Sequence, residues 1–301
     1  MNRDAFSSFH PTVNLLYFAA VIGFAMFFLH PVCLALSFLC ASAYALYLHG
    51  KKALNIGLLY LLPMVIFAAM LNPLFNHQGM TILGYLPNGN TLTLESVAYG
   101  IAAAMMLVTV IAWFSCFNAV MTSDKIIYLF GRVIPALSLI LSMALRFVPR
   151  FREQVRVISN AQKGIGRDIS DGNILSKARH GIRILSILVT WALENAIESA
   201  DSMKNRGYGL PGRTAFSIFR FNRRDAYALA YISACAAFVI AGAVTGAYHF
   251  RYFPTIRGQW TGFWTIAVFA AYFALCIFPI IVNMKEDFLW QRTEKRIESK
   301  I

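Results

Sequence analysis

VAYGIAAAMMLVTVIAWFSCFNA, residues 97–119, runs for 23 positions without a charged side chain. As an α-helix it would be about 34 Å long, enough to cross a hydrocarbon layer of about 30 Å. Five more apolar runs flank it, at 13–29, 32–48, 54–74, 225–247 and 261–283, charged only at the terminal Asp225. The first two are separated only by His30-Pro31, which can make a tight turn. The composition agrees: of 301 residues, 58% are hydrophobic and 14% charged, against about 45–50% and about 25% in a soluble domain. Mean hydropathy is +0.58. These values exclude a soluble enzyme and a disordered chain. The sequence therefore predicts an all-α polytopic membrane protein of about six spans.

The net charge is +13, but its placement argues against nucleic-acid binding. With the N-terminus inside, 25 of the 27 Lys and Arg fall in the inner segments 1–12, 49–53, 120–224 and 284–301. Only Arg251 and Arg257 fall outside, and the 22-residue loop 75–96 has no basic residue. This is the positive-inside bias of loops. It predicts a multi-pass protein with both termini cytoplasmic. One cation precedes the first run and no small-residue cleavage site follows it, so no signal peptide is expected. The segment 125–149 fits less simply. Ile126 to Leu141 is apolar enough to enter a membrane, yet a seventh full span would put the basic block outside. An interfacial or re-entrant course, or a span paired with another, remains open.

The chain divides into a membrane region at 1–120, a coupling or interfacial region at 121–224, and a second membrane region with a basic tail at 225–301. Within the middle region, residues 150–224 carry 14 Lys and Arg against 6 acids. A helix is expected from about Pro149 to Lys163, since proline suits a first helical turn. Its apolar face would hold Phe151, Val155, Ile158 and Gln162, and Gly164 and Gly166 would stop it. Asp171-Gly172-Asn173 reads as a turn. A longer amphipathic helix is expected from about Ile174 to Arg206. Its polar stripe is Arg183, Ser186, Thr190, Glu194, Glu198, Asp201 and Asn205. Its apolar face includes Leu185, Leu188, Ala192, Ala196 and Met203. Gly207 would close it, and Pro211 would block continuation. Each helix ends at a glycine-rich corner carrying an arginine, Arg167 at the first and Arg206 at the second. Such helices can lie on a membrane surface. They can also dock a soluble partner, since a guanidinium at a helix end suits a carboxylate-lined groove.

Familiar catalytic and metal patterns are missing. The sequence has no GxxxxGK[ST], HExxH or GxSxG string. The five cysteines lie in apolar runs without CxxC spacing, and the six histidines are scattered singly. The spans hold essentially no ionisable residue, which argues against a proton-coupled carrier or a permease lining its own polar pathway. A lipid-acting enzyme would need His or carboxylates converging at one interface. A scaffold anchored to the membrane surface, with no transport role, is a further alternative.

Three strings carry a family likeness: Ala144-Leu145-Arg146-Phe147-Val148-Pro149, then Ala161-Gln162-Lys163, then Ser202-Met203-Lys204-Asn205-Arg206-Gly207-Tyr208-Gly209. Together with Phe9-His10-Pro11 they resemble the transmembrane T component of energy-coupling factor (ECF) transporters, the CbiQ-type family. The resemblance implies a non-catalytic scaffold for uptake of a vitamin or transition-metal ion. Its implied partners are two cytoplasmic ABC-type ATPases, which bind the ATP and Mg, and one small integral-membrane substrate-binding S component. It implies a bacterial or archaeal cell membrane, no cofactor or metal in this chain, and no nucleic acid. The second arginine motif falls on Asn205-Arg206-Gly207, with Met203 beside it. The first falls on Gly164-Ile165-Gly166 after Gln162, so Ile165 occupies the arginine position and Arg167 is the candidate substitute. Leu185, Leu188, Ala192 and Ala196 would pack on the S component, and Arg146 and Pro149 would serve structure.

Overall fold

The computed structural model describes residues 4–50, 62–85, 91–166, 173–210, 219–258 and 262–298. The chain is helical, as its hydropathy demands. The helices are α1 (Pro11–Phe27), α2 (Pro31–His49), α3 (Leu62–Phe75), α4 (Leu94–Val120), α5 (Ser123–Val133), α6 (Pro135–Gly164), α7 (Ile174–Asn205), α8 (Arg223–Val244) and α9 (Phe263–Glu298). Two short antiparallel ribbons refine the all-α expectation. One pairs β1 (Ile82–Tyr85) with β2 (Thr91–Thr93), and the other pairs β3 (Phe250–Arg251) with β4 (Arg257–Gly258). Both lie in the loops expected outside, where a short hairpin satisfies backbone groups that no helix reaches.

Four helices, α2, α4, α8 and α9, are long and apolar enough to cross a membrane, and α1 and α3 are shorter apolar helices. The expected third span began at 54, and residues 54–61 lie outside the described residues. The helix starts are written locally. His10 and His30 each precede a proline at the first helical position, and each ring Nδ1 accepts from the backbone N–H two residues on, Thr12 and Val32. Proline costs nothing there, because its missing N–H would have had no helical partner.

Contacts divide the chain into two units, 1–125 with 219–301, and 126–218. The membrane regions 1–120 and 225–301 thus fold together as one body, although the coupling region separates them in sequence. Its core joins Tyr17 and Phe18 of α1, Tyr44 of α2, Trp113 and Cys116 of α4, Ile232 of α8, and Tyr272 and Cys276 of α9. Some polar atoms in that core are paired, whereas the buried Tyr248 and Tyr272 hydroxyls have no hydrogen-bond partner among the described residues. Trp113 Nε1 donates to Ser37 Oγ at 2.9 Å, and Tyr17 OH donates to the Cys276 carbonyl at 3.1 Å. Gly100 lets α4 approach α3 closely, since a Cβ there would lie 2.7 Å from the Ala69 carbonyl oxygen. Small residues at such crossings are a common device in membranes.

A polar knot holds the N-terminal segment. Asn283 Oδ1 accepts from the Ala5 and Phe6 amides, and its Nδ2 donates to Asp4. Tyr44 OH donates to the same Asp4 carboxylate. Asp225 accepts from the His10 and Asn222 amides. Lys125, one of the 25 Lys and Arg of the expected inner segments, is buried here and donates to the Ser7 and Val120 carbonyls at 2.6 and 2.9 Å. Burial pulls its ammonium below the usual lysine range, against the opposing pull of Asp4.

The second unit is a helical hairpin of α6 and α7. Its first helix departs from expectation. Pro135, not Pro149, occupies the first turn, and Pro149 sits inside a 30-residue helix. A mid-helix proline removes the bond to the carbonyl four residues back but leaves the helix able to continue past it. The inner face of α6 carries Phe151, Gln154, Ile158 and Gln162, with Val155 exposed. Ile158 and, on α7, Ile184 are buried, and Phe151 meets Trp191 edge-on at 5.7 Å.

Candidate functional site

The second corner is a Schellman motif built from local sequence. α7 ends at Asn205, with Arg206 as its cap. The Gly207 amide donates to the Lys204 carbonyl and the Tyr208 amide to the Met203 carbonyl, both at 3.0 Å. These are the two bonds that define the motif, and its closing residue must take a positive φ. Gly207 does so, at 80°. The expected stop signal is therefore the physical one, and it leaves Arg206 and Asn205 exposed at the helix end.

Between α6 and α7 lies a cavity of about 800 Å³, lined wholly by the second unit. Leu139, Met143, Arg146, Phe147 and Arg150 contribute from α6. Asn195, Glu198, Ser199, Ser202 and Met203 contribute from α7, with Arg206 and Tyr208 from the corner. The antiparallel hairpin places the first half of one helix beside the end of the other. Three arginines face one glutamate. Among the described residues, none of those three guanidiniums has a hydrogen-bond or ion-pair partner. An open basin of this kind attracts anions and can grip them in bidentate fashion.

Sequence reading had singled out Arg146, Met203 and Arg206, which the fold brings together here. It missed Arg150, Asn195, Ser199, Ser202 and Tyr208 as lining residues. A signal existed, since residues 195, 199, 202 and 206 recur at helical spacing on one face.

The remaining candidates lie elsewhere. The first corner turns at Gly166, with φ at 75° and its amide donating to the Lys163 carbonyl at 3.0 Å. Arg167 lies outside the described residues, as do Asp171, Gly172 and Pro211. Gln162 is half-buried near that corner, and its Oε1 has no hydrogen-bond partner among the described residues. On α7, Leu185 and Ala196 are exposed, whereas Leu188 and Ala192 are half-buried on the side of Ile184 and Trp191. The exposed apolar stripe comprises Ile182, Leu185, Val189, Leu193 and Ile197. The expected polar stripe from Arg183 to Asn205 is exposed throughout.

Long apolar helices around a common core, in a chain that also carries an amphipathic hairpin with an arginine at its glycine corner, define a multi-pass membrane protein. The family model described as CbiQ, cobalt transport protein, matches residues 5–217. The chain belongs to this family of membrane transport components. It is 35% identical over 108 residues to the energy-coupling factor transporter transmembrane protein EcfT of Lactobacillus helveticus, 36% of this chain and 39% of the relative. It is 40% identical over 90 residues to the protein of the same name from Lacticaseibacillus paracasei, 30% of this chain and 34% of the relative. With EcfT of Lactococcus lactis it shares 39% over 90 residues, 30% of this chain and 34% of the relative. The chain thus spans between 34% and 39% of the length of these curated relatives.

Proposed function

We propose that this chain is the T component of an ECF transporter, a non-catalytic scaffold in the cell membrane with both termini cytoplasmic. It would couple two ABC-type ATPases, which bind ATP and Mg, to a small membrane-embedded S component carrying a vitamin or transition-metal ion. The observation that carries this reading is the Schellman-capped end of α7, which leaves Arg206 exposed, and unpaired among the described residues, in the string Asn205-Arg206-Gly207. A guanidinium held on a rigid helix end loses little freedom on seating in a carboxylate-lined groove. The names of the EcfT relatives point the same way.

In this mechanism ATP binding closes the two ATPases and draws the hairpin's arginine corners together. The helices α6 and α7 each move as a rigid element, a change powered by differential contacts in the two states. The exposed stripe of α7, with Leu185 and Leu193, takes up the S component, and its displacement reorients that subunit to release substrate inside. Leu188 and Ala192 would serve that contact from beneath, by holding α7 on α6. Arg206→Ala is expected to weaken ATPase capture in a detergent pull-down by about tenfold to a hundredfold. Unchanged capture and unchanged ATPase stimulation would remove the coupling role. Arg167→Ala is expected to cost less than Arg206→Ala, because Ile165 stands at the first motif's arginine position; equal losses would show that the two corners dock alike.

A further inference from the structure

We propose that the basic cavity between α6 and α7 recognises the phosphate of an anionic phospholipid headgroup, with the acyl chains running along the first half of α6. This goes beyond the coupling role and shares only Arg206 with it.

The argument starts from the charge pattern of α6. Residues 135–145 carry no charge, and Arg146 is the first of a basic series that includes Arg150, Arg152 and Arg156. Eleven helical residues span about 16 Å, close to the thickness of one leaflet's hydrocarbon, about 15 Å. With Pro135 placed at the bilayer centre, the apolar-to-basic switch at Arg146 would fall at the depth where lipid phosphates lie. The cavity's lining straddles that switch, from Leu139 and Met143 to Arg146 and Arg150.

Its lining is divided in the same way. Met143 and Phe147 supply an apolar, half-buried wall, and Arg146, Arg150 and Arg206 supply the cations. Glu198 offsets one charge, leaving an excess of two. Among the described residues none of these guanidiniums has a hydrogen-bond or ion-pair partner, so the excess charge is open to an anion. A phosphodiester presents charged oxygens to several guanidiniums at once. Basic pockets between helices at the cytoplasmic face suit such headgroups. An acidic peptide would meet the same cations, but it would leave the apolar wall beside them uncovered. The exposed Ile140, one turn before Met143 on α6, extends that wall to an apolar solvent.

The test is native mass spectrometry of the purified full chain in neutral detergent, titrated with phosphatidylglycerol and phosphatidylcholine. The wild-type chain is expected to retain phosphatidylglycerol in preference. The double variant R146Q/R150Q is expected to lose that preference by about tenfold, while R146K/R150K keeps most of it because the charge remains. An unchanged preference in R146Q/R150Q, or none in the wild type, overturns the proposal. Full displacement of the lipid by millimolar inorganic phosphate would assign the site to free phosphate instead. Loss of ATPase capture in R146Q/R150Q with lipid preference intact would assign it to partner carboxylates. Should that variant not fold, E198Q is the second probe. It is expected to raise the preference about two- to threefold, and no change overturns the proposal. Since Arg206 is left intact in all of these, failure here leaves the coupling test on Arg206→Ala standing.

Discussion

In the membrane unit, Trp113, Tyr17, Tyr44 and Tyr272 are fully buried and meet partners from four different helices. In the hairpin, Ile158 at 7% and Ile184 at 5% exposure are the buried hydrophobic residues among those described. Its outward stripe leaves Ile182, Leu193 and Ile197 more than 60% exposed. The two regions have similar raw material, long apolar-rich helices, but different closure. Six helices can enclose a core, whereas two can cover only one side of each other. Among the described residues, the hairpin therefore leaves apolar faces uncovered that the membrane unit encloses.

Mutations can break or sharpen this contrast. The largest effect is expected in the enclosed core. Trp113→Ala removes the largest fully buried side chain and orphans Ser37 Oγ. It should cost about 3–5 kcal/mol in thermal unfolding of the purified chain. Lys125→Met comes next. It leaves the Ser7 and Val120 carbonyls without the donor seen now. A loss of about 1–3 kcal/mol is expected; a neutral result would mean that the knot is not structural. Gly207→Ala places a Cβ at a positive φ and 3.1 Å from Leu210 Cδ1. It should destabilise only the end of α7, by about 1–2 kcal/mol, seen as faster amide exchange at the corner with the global unfolding midpoint unmoved. The smallest effect on stability belongs to Leu193→Ala, within about 0.5 kcal/mol for the isolated chain. If that change matched Trp113→Ala, the stripe would be core and the contrast would collapse.

Much of the corner was legible in sequence. Gly207 follows an amphipathic helix whose polar stripe ends at Asn205, so the stop and the exposed Arg206 come from local rules. The first corner was legible only in part, because Arg167 lies outside the described residues and Ile165 breaks the pattern. Pro149 misled because proline is favoured in first turns, and nothing local marks a helix that continues through it. Val155 misled for a related reason. Hydrophobicity nominated it for the inner face, but the rotation of α6 about Ile158 puts Gln154 there instead. Arg146 and Arg150 could not be joined to Arg206 from sequence, since spacing reports neighbours on one helix and never across two.

What the sequence by itself determined is everything governed by transfer between solvents and by one turn of chain. That covers the apolar spans, the bias of basic residues to one set of loops, the His-Pro helix starts and the glycine stop. Each depends on residues within a few positions of one another, or on whether a segment prefers lipid to water. Only the tertiary structure decided that residues 1–125 and 219–301 share one core, that Lys125 is buried, and that three arginines gather around a single glutamate. These are meetings between distant segments. They are settled by which faces pack, a choice that composition and periodicity leave open.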